Sequence, residues 1–298
     1  AGLMGHGIAQ VFALAGHAVT ITDAHRPTLD SALMRISTNL RDLGDDENTV
    51  NRVKPVADMA ECVREADYVV EAILEDMPLK QKTFAEIEKH VRPDTILASN
   101  TSVMPITEIM QGLKHRERAL GTHWWNPPFL VPLVEVIGTQ WTSQAAIDFT
   151  MKLHADAGKE PAHVKKDVPG FIGNRLQHAL WREAVSLVER GICDAETVDR
   201  VIKAAFGRRL AVLGPLENAD LVGTDLTLAL VRGDYHWVIV LAEEGLSLAT
   251  MKVPKLRDLF FSRGERAAWL LPDKLRWRQI KDDFHHGALA LSMSFALP

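Results

Sequence analysis

At 298 residues, with 47% hydrophobic and 24% charged side chains, the chain is long enough for two ordinary domains and has the composition of a folded globular protein. A net charge of −5 and a sequence pI near 6.2 argue against a nucleic-acid partner, and no apolar stretch approaches the length of a membrane span. Only Cys62 and Cys193 occur, which argues against a disulfide framework or a cysteine zinc site and favours a reducing compartment, the cytoplasm.

The chain opens "AGLMGHGIAQ". Gly2 and Gly5 are spaced as the second and third glycines of G-x-G-x-x-G, whose glycines allow a tight turn, close approach of a pyrophosphate, and packing of helix on strand. The following helix would offer free N–H groups and a positive dipole end to phosphates. Gly2, Leu3, Met4 and Gly5 are therefore expected to hold a dinucleotide. On this spacing the first glycine and the central first strand are missing from the chain, which would leave two strand edges open. The segment lacks a basic leader and runs straight into "TITDAHRP", so it does not read as a signal peptide.

"HAVTITD" (17–23) reads as the next strand and ends at Asp23, about 20 residues past the glycine turn, where an acid accepts hydrogen bonds from ribose hydroxyls. That acid favours NAD over NADP, although Arg26 lies close by. Further strands are expected at "ADYVVEAI" (66–73), "DTILASN" (94–100), "ALGTHWW" (119–125) and "PLVEVIG" (132–138), with helices around 27–43, 58–65, 79–91 and 143–158. The alternation implies a parallel sheet covered on both faces.

Near "HVKKDVPGFIGNR" (163–175) the pattern becomes helical: about 170–190, 194–205 and 217–231. Phe171, Ile172, Leu176, Ala179, Leu180, Ala184, Leu187 and Val188 form an apolar stripe, and Asp167 or Gly170 is placed to cap its start. The fold class is an α/β Rossmann-type domain, residues 1–166, followed by an all-α domain, residues 167–298.

Oxidising a secondary alcohol needs a hydride acceptor, a base for the hydroxyl proton, and donors for the developing alkoxide. His123 ends a strand on the carboxyl edge, where ligands of open α/β sheets bind, and "NPP" (126–128) stops the strand there. Glu135 lies on the apolar strand "VPLVEVI", where a charge is expensive without a partner.

Four segments together, "AGLMGHGIAQ", "VVEAILEDMPLKQ", "ASNTSVMPITEI" through "GTHWWNPPFLVPLVEVI", and "DVPGFIGNR", resemble the L-3-hydroxyacyl-CoA dehydrogenases. The likeness runs from residue 1 to about 227. It implies NAD as cofactor, oxidation of an (S)-3-hydroxyacyl-CoA to the 3-oxoacyl-CoA, and a homodimer built by the second domain. His123 would be the base with Glu135 paired to it. Ser102 and Asn174 would hold the substrate oxygen, Asn100 and Asn126 would line the cofactor pocket, and Glu75 and Lys80 would approach the ribose and the thioester ligand. Read locally, Ser102 serves equally as a turn residue, Asn174 as a cap and Lys80 as half of an ordinary ion pair.

Where this family contacts coenzyme A, the chain carries Asp45, Asp46 and Glu47, with Arg41, Arg52 and Lys54 placed to compensate. The acids motivate a second reading, a free hydroxy acid as substrate, similar to gulonate and carnitine dehydrogenases. A third is a catalytically silent structural relative, similar to the lens crystallin of this fold. Beyond about residue 230 the sequence departs from the family. Its tryptophans Trp237, Trp269 and Trp277 and the pair His285–His286 read as surface rather than as a metal site.

Overall fold

The computed structural model describes residues 1–222 together with Thr227, Leu228 and Val231, so the tail tryptophans and the His285–His286 pair lie outside it. The elements begin with α1 (Leu3–Leu14), β1 (Val19–Ile21), α2 (Arg26–Asp30), α3 (Ala32–Leu43), β2 (Val53–Pro55) and α4 (Met59–Val63). Next come β3 (Tyr68–Glu71), α5 (Met77–Ile87), β4 (Ile96–Ser99), α6 (Ile106–Met110), β5 (Ala119–Trp124) and β6 (Leu133–Gly138). The described part closes with α7 (Gln144–Asp156), β7 (Glu160–Val164), α8 (Gly173–Glu189), α9 (Ala195–Ala204) and α10 (Pro215–Val222).

Local chemistry sets the helix starts. Asp58, Asp76, Ser143 and Asp194 each accept a backbone N–H of the first turn of α4, α5, α7 and α9. Gly44 ends α3 in the left-handed conformation, φ 74°, which a side chain disfavours. The single helix expected over 27–43 is broken at Ser31, which serves as the C-cap of α2 and the N-cap of α3.

The strands form two sheets: β1 with β2, and β3-β4-β5-β6-β7. Among the described residues, β1 and β3 are thus each paired on one side only. Helix α1 joins them. Its Ala9 and Ala13 pack with Ile21 and Leu29, while Ile8, Val11 and Phe12 pack with Trp124 and Val134. Every residue of β4 and β5 is buried, as strands covered on both faces should be.

One expectation fails: the sheet is not wholly parallel, because β6 runs antiparallel to β5. The connection, residues 125–132, is shorter than the dozen or so that a parallel crossover needs. That reversal sets His123 directly opposite Glu135.

The chain divides into two compact units, Ala1–Glu183 and Ala184–Pro298. The boundary falls inside α8, later than the change of pattern near residue 166. In the apolar stripe Phe171 is buried, but Ile172, Leu176, Leu180 and Val188 are exposed, and no residue of α8 or α9 is buried. Nor does Asp167 cap α8. Its Oδ2 accepts the Thr107 N–H at 2.6 Å instead, because a carboxylate from β6 already occupies the start of the helix.

Candidate active site

His123 is 4% exposed and Glu135 is 1% exposed. Their antiparallel register brings His123 Nδ1 to 2.7 Å from Glu135 Oε2. Burial pushes the Glu135 carboxyl up. The His123 hydrogen bond and the N–H groups of Gly173 and Ile172 together outweigh it and hold the group below its usual value. An ionised carboxylate only accepts hydrogen bonds, so Nδ1–H is the donor to Glu135 and Nε2 is turned away from it. Nε2 has no hydrogen-bond partner among the described residues, and it is not among their sealed, unpaired atoms. The histidine presents an open ring nitrogen.

The other Glu135 oxygen, Oε1, accepts the N–H groups of Ile172 (2.8 Å) and Gly173 (3.0 Å) at the first turn of α8. One carboxylate therefore orients the imidazole and caps a helix, where negative charge is favoured. The Trp125 and Phe171 rings flank His123, with centroids 5.2 and 5.5 Å away. At Gly173 any Cβ would overlap the Trp125 indole, so the close approach of helix to ring requires glycine there.

Ser102 is exposed, and its hydroxyl has no partner among the described residues. Its N–H donates to Glu75 Oε1 (2.6 Å), and its carbonyl accepts Asn174 Nδ2 (2.8 Å). Asn174, at the second position of α8, is thus held beside Ser102. Asn100 Oδ1 accepts the Trp124 N–H at 2.9 Å and pins the end of β4 to the end of β5. Asn126 is exposed beyond β5.

Lys80, expected either at the ligand or in an ordinary ion pair, is fully buried, and its Nζ lies 2.6 Å from Glu71 Oε1. A buried ammonium needs its counter-charge close by, and Glu71 supplies it. The exposed member of this group is Glu75, 3.5 Å from Nζ.

At the glycine turn, α1 starts at Gly2 with no side-chain cap and no acid in its first turn, so its leading N–H groups stay free for an anion. A Cβ at Gly2 or Gly5 would meet nothing within 4 Å. The helix-packing glycine is Gly7, against Pro128 at 3.0 Å, rather than Gly5, because no described strand lies under Gly5. The Asp23 carboxylate accepts the His25 N–H at 2.9 Å. Arg26 is tied to Asp30 at 2.7 Å.

The sequence reading missed Arg35. Its guanidinium donates to the carbonyls of Ala1 (2.6 Å) and Thr28 (3.0 Å) and so braces the turn. The available signal was an arginine next to the buried Ala32 and Ile36 of an amphipathic helix. An uncapped helix start with open glycines, an acid at the end of the next strand, and a buried base at the carboxyl edge suit a dinucleotide and the oxidation of an alcohol beside it. These features define a class, the Rossmann-type nicotinamide-dependent dehydrogenases.

Comparison with known proteins narrows the class. Residues 1–168 match the model of the 3-hydroxyacyl-CoA dehydrogenase NAD binding domain, and residues 170–255 match that of the 3-hydroxyacyl-CoA dehydrogenase C-terminal domain. The second match extends past residue 230, where the motifs stop resembling the family. A 5-formyl-3-hydroxy-2-methylpyridine 4-carboxylate 5-dehydrogenase of Mesorhizobium japonicum is 36% identical over 230 residues, covering 76% of this chain and 74% of the relative. The mitochondrial hydroxyacyl-coenzyme A dehydrogenase of Sus scrofa is 37% identical over 245 residues, covering 78% of this chain and 77% of that one. A solved structure of a 5-formyl-3-hydroxy-2-methylpyridine 4-carboxylic acid 5-dehydrogenase, described as an NAD-dependent dismutase, superposes with a TM-score of 0.72 at 34% identity, covering 78% of each chain. The chain belongs to the 3-hydroxyacyl-CoA dehydrogenase family and is an NAD-dependent oxidoreductase.

Proposed function

We propose that the protein converts a short-chain (S)-3-hydroxyacyl-CoA and NAD into the 3-oxoacyl-CoA and NADH. The observation that carries this reading is the buried His123–Glu135 pair with Nε2 left open. NAD, when bound, accepts the hydride from the carbinol carbon. The hydroxyl proton passes to His123 Nε2, and Glu135 stabilises the imidazolium that results. The Ser102 hydroxyl and the Asn174 amide hold the reacting oxygen. Gly2, Leu3, Met4 and Gly5 would hold the pyrophosphate of NAD, Asp23 the adenosine ribose, and Glu75, Asn100 and Asn126 the nicotinamide end. The Asp23 carboxylate disfavours a 2′-phosphate, and the nearby Arg26 is paired with Asp30, which supports NAD.

We further place the enzyme in fatty-acid or hydroxybutyrate metabolism, including β-oxidation, in the cytoplasm, as a homodimer. The two free cysteines support the compartment, and the exposed apolar stripe of α8 supports self-association.

A second reading, a free hydroxy acid, is favoured by one observation. The cations near the acidic run already have partners: Arg41 with Glu47 (2.9 Å), Arg52 with the Gly16 carbonyl (3.3 Å) and Lys54 with Glu61 (3.6 Å). A relative at 36% identity is named for a free pyridine carboxylate. NADH-absorbance assays with acetoacetyl-CoA and with free 3-hydroxy acids separate the two. Turnover of the thioester is expected; activity confined to free acids would replace the first reading with the second. NADH binding without any turnover would favour the structural relative.

A further inference from the structure

The Glu71–Lys80 pair has no part in the steps above, yet both ions are sealed, with side chains 1% and 0% exposed. Withdrawing two charges from water is costly, and a hydrophobic pair of similar shape would often serve stability as well. Their hydrogen bonds lead in one direction. Ser99 Oγ donates to Glu71 Oε2 at 2.7 Å, and Ile73 N donates to Oε1 at 2.7 Å, so the carboxylate is fixed at the carboxyl ends of β3 and β4. Lys80 Nζ bonds Glu71 Oε1 at 2.6 Å and lies 3.5 Å from Glu75 Oε2. Glu75 Oε1 in turn accepts Ser102 N at 2.6 Å and Thr101 Oγ1 at 3.0 Å.

We propose that Glu71 is a positioning residue for Ser102: it fixes the Lys80 ammonium, which holds Glu75 beneath the Ser102 amide. The inference rests on the reading of Ser102 as a substrate-facing hydroxyl. One ammonium is shared unequally between two carboxylates, and the nearer one keeps it from closing on the other. With Glu71 neutral, Lys80 closes on Glu75 and draws that carboxylate off the Ser102 N–H. Asn174 grips only the carbonyl side of the residue, so the hydroxyl loses its aim.

The test is Glu71→Gln in the full chain, with three measurements. Hydrogen exchange of the Ser102 amide should rise about ten-fold while β5 amides stay unchanged. The kcat should fall about ten-fold with NADH affinity within about two-fold, a split that a general loss of stability does not produce. In a Ser102→Ala background the same change should cost less than about two-fold, because both act through one hydroxyl. Unchanged Ser102 exchange, or the full cost persisting without the hydroxyl, overturns the proposal. Wild-type turnover by Ser102→Ala alone would instead sink the reading of Ser102, and exchange would still decide the positioning. If Glu71→Gln fails to fold, Ser99→Ala keeps the ion pair and should raise Ser102 exchange about three-fold; no change overturns the proposal there too.

Discussion

His123 has one nitrogen tied to Glu135 and one left open, and this asymmetry carries two predictions. His123→Gln removes the proton acceptor without touching the glycine turn. The kcat should fall by about 10²–10⁴-fold with NADH affinity, read by fluorescence quenching, within about two-fold. Near-normal turnover would contradict the base assignment. Glu135→Gln should cost kcat similarly and also lower Tm, because Gln cannot serve as a charged acceptor for both the imidazole and the helix amides. The acid dependence follows from the depressed Glu135 value. A carboxyl held lower in the folded than in the unfolded state adds stability above its unfolded value, and that stability is lost as pH falls through the folded one. Urea titrations should therefore show wild type and Glu135→Gln converging below the ordinary carboxylate range; a constant gap would argue against a stabilising ionised carboxylate at Glu135.

Among the elements, α8 binds most directly to the chemistry. Its first turn is capped by Glu135 and packed on Trp125, and both contacts run through Gly173. Gly173→Ala pushes the indole off the imidazole; it should lower kcat at least about ten-fold and cost about 1–3 kcal/mol of stability, checked by assay and urea titration. Retained activity would show that the ring contact is dispensable. The sequence made β3, β4, β5 and β6 visible because their apolar runs end in turn residues. It hid β2 and β7: "VKP" is too short, and "EPAHV" is too polar to read as a strand. His123, Glu135, Ser102 and Asn174 were legible from their segments, and the structure brings each pair into contact. Glu71 and Ser99 were not, since the partner that makes them matter comes from another strand. For Lys80 the segment left a ligand contact and an ordinary ion pair both open, and the structure shows the ion pair, with Glu71.

At the scale of the whole first unit, aromatic packing joins α1, β3, β5 and α7 around His154. It is fully buried, with ring centroids 5.6 Å from Phe12, 5.8 Å from Tyr68 and 5.1 Å from Trp124. Burial pushes its value down to about 4 from an ordinary 6.5. The unfolded chain therefore takes up a proton that the folded one refuses, and stability falls as pH drops from about 6.5 towards 4, by a few kcal/mol at most. His154→Gln should flatten that stretch of the pH–stability curve; an unaltered slope would place the acid sensitivity elsewhere.

Transplanting this base into another scaffold would demand more than a histidine beside an acid. Since a single carboxylate also terminates a helix, the donor fragment must bring that helix's opening amides and the bare α-carbon next to the indole. A graft without them would leave the acid short of donors and its imidazole free to swing.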